Sequence, residues 1–353
     1  MLQRGLEAEG VAVARVAPVA PPLPAAGYAA LQRARIDLRT FLMNYPVWAD
    51  YPPADVYHLT SQNLATALLF RRPPGRVIVT VHDIIPYMLR DDPALSTYRG
   101  RVDRLFDHLA MRGLRRADQL IADSHYTKRC LTKHLGIAPE RISVVHLGID
   151  HERYRPAPAP AALSTRYGLR HDRRYLIYVG SEDPRKNVAT LVRALAALRQ
   201  THPDVELLKV GRAHFAAERR KLVGLAAFLG VGAAIHWLDD VPEADLPGLY
   251  SLASVCVMPS RYEGFGFPVL EAMACGTPVV AADASSLPEL VGDGGVLASL
   301  HAPDGTAFTD VLNNLLSDRA VYEDVRARGL ARAAQFTWRS TTQAVRAVYA
   351  AGG

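Results

Sequence analysis

With 353 residues, 49% of them hydrophobic, the chain has room for two domains of ordinary size and is too apolar to be disordered. A formal net charge of +6 admits anionic partners (nucleotide, phospholipid or nucleic acid) without selecting one, and nucleic-acid binding has nothing beyond that charge behind it. Cys130, Cys256 and Cys275 lie far apart in no metal-ligand spacing, the pattern of a reducing cytoplasm, and no window approaches the ~18 apolar residues of a membrane span.

The chain starts "MLQRGLEAEGVAVARVAPVAPP", with acids before the apolar part and prolines after it, which reads poorly as a signal peptide. Short β-branched runs follow at 11–16, 55–60, 76–81, 119–123 and 141–148, and each reads as a strand bounded by turn residues. Helical periodicity occupies 98–116 and 124–135 between them. A stretch rich in proline and alanine, "RYRPAPAPAALS", then separates an expected domain at 1–155 from one at 165–336, with 156–164 as linker. Beyond it, strands are expected at 175–180, 205–211, 234–238, 254–259 and 278–283, with helices at 187–201, 214–229, 243–252 and 268–274. Such alternation predicts an α/β protein with two Rossmann-like, doubly wound parallel sheets facing a cleft. A last helix, within 337–353, is expected to pack back on the first domain.

The segment "SRYEGFGFPVLEAMACGTPVVAAD" carries the densest chemistry. Pro268 suits the start of a helix, Gly276 its end, and Gly264 and Gly266 let backbone approach a ligand just before the helix. Exposed amides and the helix dipole there favour an anion. Glu263 and Glu271 would repel a phosphate but accept hydrogen bonds from sugar hydroxyls, so a nucleotide-sugar would satisfy both halves of the segment. An ordinary helix with solvated glutamates after a tight turn explains the same residues equally well.

"EGFGFPVLEAMACGTPVV" resembles the E-x7-E signature of retaining GT-B glycosyltransferases of the glycosyltransferase family 4 type. "YVGSEDPRKNVATLVRAL" and "DLPGLYSLASVCVMPSRYEGFG" resemble the donor-domain landmarks of that family. "VHDIIP", "IADSHYTKRCL" and "VVHLGIDHERYRP" resemble its acceptor-domain landmarks. The resemblance implies that Glu271 accepts from ribose hydroxyls, that Glu263 holds a hydroxyl of the transferred sugar, and that amides around Phe265 and Gly266 contact sugar or phosphate. Lys186 would grip the diphosphate, and His82 would sit near the reacting sugar, with Asp83 and Ser124 on the acceptor side. Many members carry an arginine where this chain has Ser181; Arg185 or Arg212 would replace its charge, and Arg212, at a strand end, is the better placed by sequence. No D-x-D triplet occurs, which fits metal-independent catalysis with no cofactor.

The resemblance further implies transfer of a hexose, mannose from GDP-mannose in first place, to a glycan or lipid-linked acceptor. The family opens with a strand and a glycine-rich loop, whereas "LQRGLEAEGVAVARV" reads as the tail of the following helix and then the second strand. That departure keeps open a non-catalytic or truncated nucleotide-sugar-binding protein. In "RGRVDRLFDHLAMRGLRRAD", Val102, Leu105, Phe106 and Leu109 form an apolar stripe flanked by arginines. The stripe reads either as the face that packs on the first sheet or as peripheral contact with the inner membrane face.

Overall fold

A computed structural model describes residues 1–16, 44–46, 50–98, 100–158, 161–301 and 304–351. They form two compact units, Met1–Leu147 with Trp338–Gly353, and Gly148–Thr337.

In the first unit, β1 (Val56–Leu59), β2 (Arg76–Val81), β3 (Gln119–Ala122) and β4 (Ile142–Val144) pair in that order, all parallel. Parallel strands are covered on both faces and so read as continuous apolar runs; in "RVIVTV" every residue after Arg76 is buried. One face carries Val77, Val79, Leu120 and Ala122 against Met111, Leu114 and Leu131. The other carries Ile78, Ile121 and Val145 against Val345 and Val348 of the C-terminal helix, Trp338–Ala350. Arg76 donates from Nη1 to the carbonyls of Val348 (2.9 Å) and Tyr349 (2.8 Å), supplying partners to the last turn of that helix.

The helices of this unit are α1 (Leu2–Ala8), α2 (Ile85–Met88), α3 (Arg101–Leu114) and α4 (His125–Leu135), with a 3-10 segment at Gln62–Leu69. Residues 11–16, expected as a strand, pair with no strand among the described residues; Val11 instead bonds back to the carbonyl of Leu6 (2.9 Å), closing α1. β-propensity needs a neighbouring edge to act on, and this run meets none among the described residues. The apolar stripe of α3 is also corrected. Its buried residues are Asp107, Ala110, Met111, Gly113 and Leu114, while Val102 and Leu105 are 41% and 54% exposed. Gly113 permits the packing, since a Cβ there would lie 2.0 Å from the carbonyl oxygen of Ala65 in the 3-10 segment.

In the second unit the helix α5 (Ala161–Tyr167) precedes β5 (Arg174–Val179), α6 (Val188–Leu198), β6 (Val205–Val210), α7 (Ala216–Phe228) and β7 (Ile235–Leu238). Then come α8 (Leu246–Leu252), β8 (Val255–Met258), α9 (Phe267–Ala274), β9 (Val279–Ala282), α10 (Leu287–Val291) and β10 (Val296–Ala298), followed by α11 (Thr306–Ser317) and α12 (Arg319–Ala333). The strand order is β10-β9-β8-β5-β6-β7, all parallel. This is the doubly wound order, and its switch point lies between β5 and β8, where open α/β sheets bind ligands beyond the carboxyl ends of the strands.

The units divide at Leu147 and Gly148 rather than at 155 and 156, and α5 begins inside the expected linker. Packing sets that limit: Tyr154, only 6% exposed, stands edge-on to Tyr250 of α8 with ring centroids 6.3 Å apart. The helix Trp338–Ala350, the last among the described residues, is α13 in chain order.

Candidate functional site

The switch point brings together the loop after β5, "GSEDPRKN", and the loop after β8, "PSRYEGFG". In the first loop the buried Tyr178 donates its hydroxyl to the carbonyl of Ser181 (2.8 Å). Asp183 caps a 3-10 turn, Pro184–Lys186, by accepting from the Arg185 amide (3.1 Å). Asn187 closes that turn in the left-handed region, φ 57°, which asparagine tolerates better than most side chains. Its Nδ2 donates to the carbonyl of Pro259 (3.2 Å), the Arg261 amide donates to the carbonyl of Arg185 (2.8 Å), and Arg185 Nη1 donates to the carbonyl of Tyr262 (2.7 Å).

These ties fix three charged side chains. Lys186 Nζ stands 2.5 Å from Glu263 Oε1, and Arg185 Nη1 stands 3.8 Å from Glu263 Oε2. All three side chains are largely buried, so their fields are screened less than those of surface ions. Of the two arginines considered, Arg185 is the one that stands beside the Lys186–Glu263 pair, whereas Arg212 is 72% exposed and paired with Asp240 at 2.9 Å.

The Glu263 loop is held from below by two serines after β9. Ser285 Oγ accepts from the Glu263 amide (3.0 Å), and Ser286 Oγ hydrogen-bonds the carbonyls of Glu263 and Phe265 (3.0 Å each). Phe265 is 6% exposed and packs edge-on against Phe267 and Phe336, so its ring anchors the loop. Gly264 lies in this loop, and Gly266 caps α9 at φ 113°, a conformation that L side chains rarely adopt. Glu271 lies one turn into α9, half-buried, and its Oε2 accepts from the Tyr250 hydroxyl (2.7 Å). Burial pushes its carboxyl up, against the opposing pull of hydrogen bonds from Tyr250 and Tyr154.

A second ionic cluster flanks the same loop. Glu182 and Lys209 are both fully buried and paired, Lys209 Nζ also donates to the carbonyl of Gly211 (2.6 Å), and Arg219 Nη2 lies 2.5 Å from both Glu182 Oε1 and Asp239 Oδ1. Burial draws the Lys209 ammonium down, and Glu182 opposes that shift. Sequence reasoning missed this cluster and the supporting Asp183, Asn187, Ser285 and Ser286. A lysine inside the apolar run "VELLKV" was the one signal that pointed to it.

In the first unit, His82 follows β2. Its Nδ1 meets Asp123 Oδ2 at 2.6 Å, and its Nε2 meets the carbonyl of Thr60 at 3.0 Å. An oxygen faces each ring nitrogen, and the Asp123 hydrogen bond raises the ring's pKa against the lowering effect of burial. Asp83 Oδ1 accepts from the Ile85 amide (2.9 Å), and Ser124 caps α4 by accepting from the Thr127 amide (3.0 Å). Among the described residues no group of three or more His, Cys, Asp or Glu could hold a metal ion.

Known proteins match this arrangement along the chain. Residues 1–153 match the family model "Glycosyltransferase Family 4", and residues 162–332 match "Glycosyl transferases group 1". An "MMP alpha-(1->4)-mannosyltransferase" of Mycolicibacterium hassiacum is 33% identical over 303 residues, covering 84% of this chain and 70% of that one. The chain belongs to this glycosyltransferase family. A "D-inositol 3-phosphate glycosyltransferase" of Streptomyces bingchenggensis is 35% identical over 242 residues, 66% of this chain and 53% of the relative. The chain thus spans about half the length of that curated relative. In fold the family member resembles the sucrose-phosphate synthase of Thermosynechococcus elongatus, with TM-score 0.72 and 22% identity over 99% of this chain and 92% of that one. Both units accordingly have the Rossmann-like character of the GT-B fold.

Proposed function

We propose that this protein is a retaining glycosyltransferase that moves a hexose, mannose in first place, from a nucleotide-sugar to a glycan or lipid-linked acceptor without a metal or other cofactor. The observation that carries the reading is the Lys186–Glu263 pair with Arg185 beside it at the switch point of the second unit. Breaking the bond from the anomeric carbon to the phosphate oxygen leaves the electron pair on the nucleoside diphosphate. Lys186 and Arg185 supply fixed positive charge for it, the work that a metal ion does in other transferases.

Glu263 then exchanges its bond to Lys186 for a hydroxyl of the sugar, the Gly264–Gly266 backbone contacts sugar or phosphate, and Glu271 takes the ribose. His82, its ring oriented by Asp123, serves as a hydrogen-bond donor near the reacting sugar. Mannose is supported by the name of the Mycolicibacterium relative. Three free, buried cysteines fit a cytoplasmic location. No helix among the described residues is long and apolar enough to cross a membrane. Peripheral contact with the inner membrane face is supported by α3, whose exposed residues include Arg101, Val102, Arg104, Leu105 and Arg112.

The test is a thermal-shift screen of GDP-, UDP-, ADP- and dTDP-sugars, followed by turnover with the best binder. Lys186→Ala is expected to cost about 3–4 kcal/mol of barrier, a 10²–10³-fold loss in kcat. Full turnover in that variant rejects the diphosphate assignment, and nucleotide-sugar binding unchanged in Glu271→Ala rejects the ribose assignment. Binding without turnover supports the non-catalytic reading instead.

A further inference from the structure

Lys209 interrupts the apolar run of β6, where Leu207, Leu208 and Val210 are buried with it. A buried ammonium needs an anion, and Glu182 supplies one from the loop after β5; neither side chain has any exposed surface. Glu182 Oε1 accepts from Lys209 Nζ, from Arg219 Nε (2.9 Å) and from Arg219 Nη2 (2.5 Å). Glu182 Oε2 is buried with no hydrogen-bond partner. Arg219 is held in turn by Asp239 after β7 (2.5 Å) and lies over the Trp237 ring at 4.4 Å. One carboxylate oxygen thus joins the loop after β5 to β6 and α7.

Stability does not account for this arrangement. Taking both charges out of water is costly, and apolar residues of similar volume in place of a buried pair are commonly neutral or stabilising. The unpaired Oε2 adds the cost of an unsatisfied buried acceptor. What the pair does fix is backbone. Lys209 Nζ also donates to the carbonyl of Gly211 (2.6 Å), and the Gly180 amide donates to the carbonyl of Val210 (2.9 Å). The two loops pack so closely that a Cβ on Gly211 would lie 2.8 Å from the Gly180 carbonyl oxygen. The next residue after Glu182 is Asp183, whose side chain caps the turn Pro184–Lys186 and whose carbonyl accepts from the Lys186 amide (2.8 Å). Glu182 is therefore the anchored end of the short span that carries Arg185 and Lys186.

We propose that Glu182, with Lys209, is a positioning residue for the diphosphate grip: the pair sets where Arg185 and Lys186 stand, and so makes the second unit prefer a nucleoside diphosphate to the monophosphate. The proposal rests on the glycosyl-transfer reading for the diphosphate. With no exposed side-chain surface, Glu182 and Lys209 act through the turn and not on the ligand.

The test is calorimetric titration of the full chain with GDP, UDP and ADP and with the matching monophosphates. Glu182→Gln combined with Lys209→Met removes both charges at nearly constant volume and leaves Arg219 paired with Asp239, so urea denaturation should show a folded chain. Glu182→Met with Lys209→Met is the second variant should the first not fold. In the pair variant the ratio of diphosphate to monophosphate affinity should fall about tenfold, with monophosphate affinity changed less than twofold. A merely structural role would loosen the unit and lower both affinities together. Lys186→Ala should reduce the ratio by itself, and adding the pair substitutions to it should lower the ratio less than threefold further, the non-additivity of residues that act on one another.

A ratio within twofold of the parent in a folded pair variant overturns the positioning role and leaves the glycosyl-transfer reading standing. An undiminished tenfold fall in the Lys186→Ala background, or a monophosphate loss as large as the diphosphate loss, overturns it as well. A parent chain that binds diphosphates no better than monophosphates rejects the diphosphate assignment of Lys186 and the positioning role together.

Discussion

At the scale of single residues, ionic pairs in places screened from water set the behaviour. Glu182 and Lys209 both have fully buried side chains, so removing the charge of one leaves the other uncompensated. Glu182→Gln is therefore expected to destabilise the chain by about 3–5 kcal/mol in urea denaturation, whereas Arg212→Gln, at an exposed pair, should change stability by less than about 1 kcal/mol. His82 gives the pH dependence. Its folded pKa is raised above the ordinary 6.5 by the hydrogen bond to Asp123. The stabilisation from that shift is fully present below 6.5 and is lost as pH rises through the raised value. In an NMR titration, Asp123→Asn should lower the His82 midpoint, and in denaturation it should flatten the fall in stability above pH 6.5. An unchanged midpoint would show that Asp123 does not set the His82 charge. The charged residues at the bends, Glu263, Lys186 and His82, stand out in the sequence; their partners do not, because Asp123 meets His82 across 41 positions and Lys186 meets Glu263 across 77.

At the scale of elements, most strands and helices with strong periodicity fall where the sequence places them, and the exceptions share a physical cause. β10 is three residues long inside a glycine-rich run, too short for any period. The 15-residue α12 shows little amphipathic contrast because it buries only Val325, Gly329 and Ala333, a narrow stripe at four-residue spacing. Arg332 on that helix donates to the carbonyls of Leu290 (3.0 Å) and Glu289 (2.6 Å), a contact invisible without the fold. The stripe of α3 misled for a different reason: its contact with the 3-10 segment is set by the small residues Ala110 and Gly113, not by its largest apolar ones. Gly113→Ala should accordingly be destabilising, by about 1–3 kcal/mol, because the new Cβ meets backbone that must move. Helix propensity alone predicts a gain of about 1 kcal/mol, so the sign of the change in denaturation midpoint decides between them.

At the scale of the whole molecule, the chain has two parallel α/β units with separate cores, and its last helix completes the first core rather than the second. A nucleotide-sugar that binds the second unit stabilises the folded chain by mass action, about 2.7 kcal/mol at a ligand concentration of 100 times Kd. The melting temperature should therefore rise with donor concentration in the parent and stay flat in Glu271→Ala. A rise of equal size in the variant would remove Glu271 from the donor site. What the sequence by itself determined was the alternation of strands and helices, the two-unit α/β class and the family signature around Glu263 and Glu271. Those follow from local periodicity, turn residues and short-range spacing. Only the tertiary structure decided which arginine stands beside Lys186, which face of α3 is buried, where the units divide, and that Asp107 meets Tyr98 beside a cavity. Each of these depends on contacts between residues distant in the chain, and no local pattern encodes such contacts.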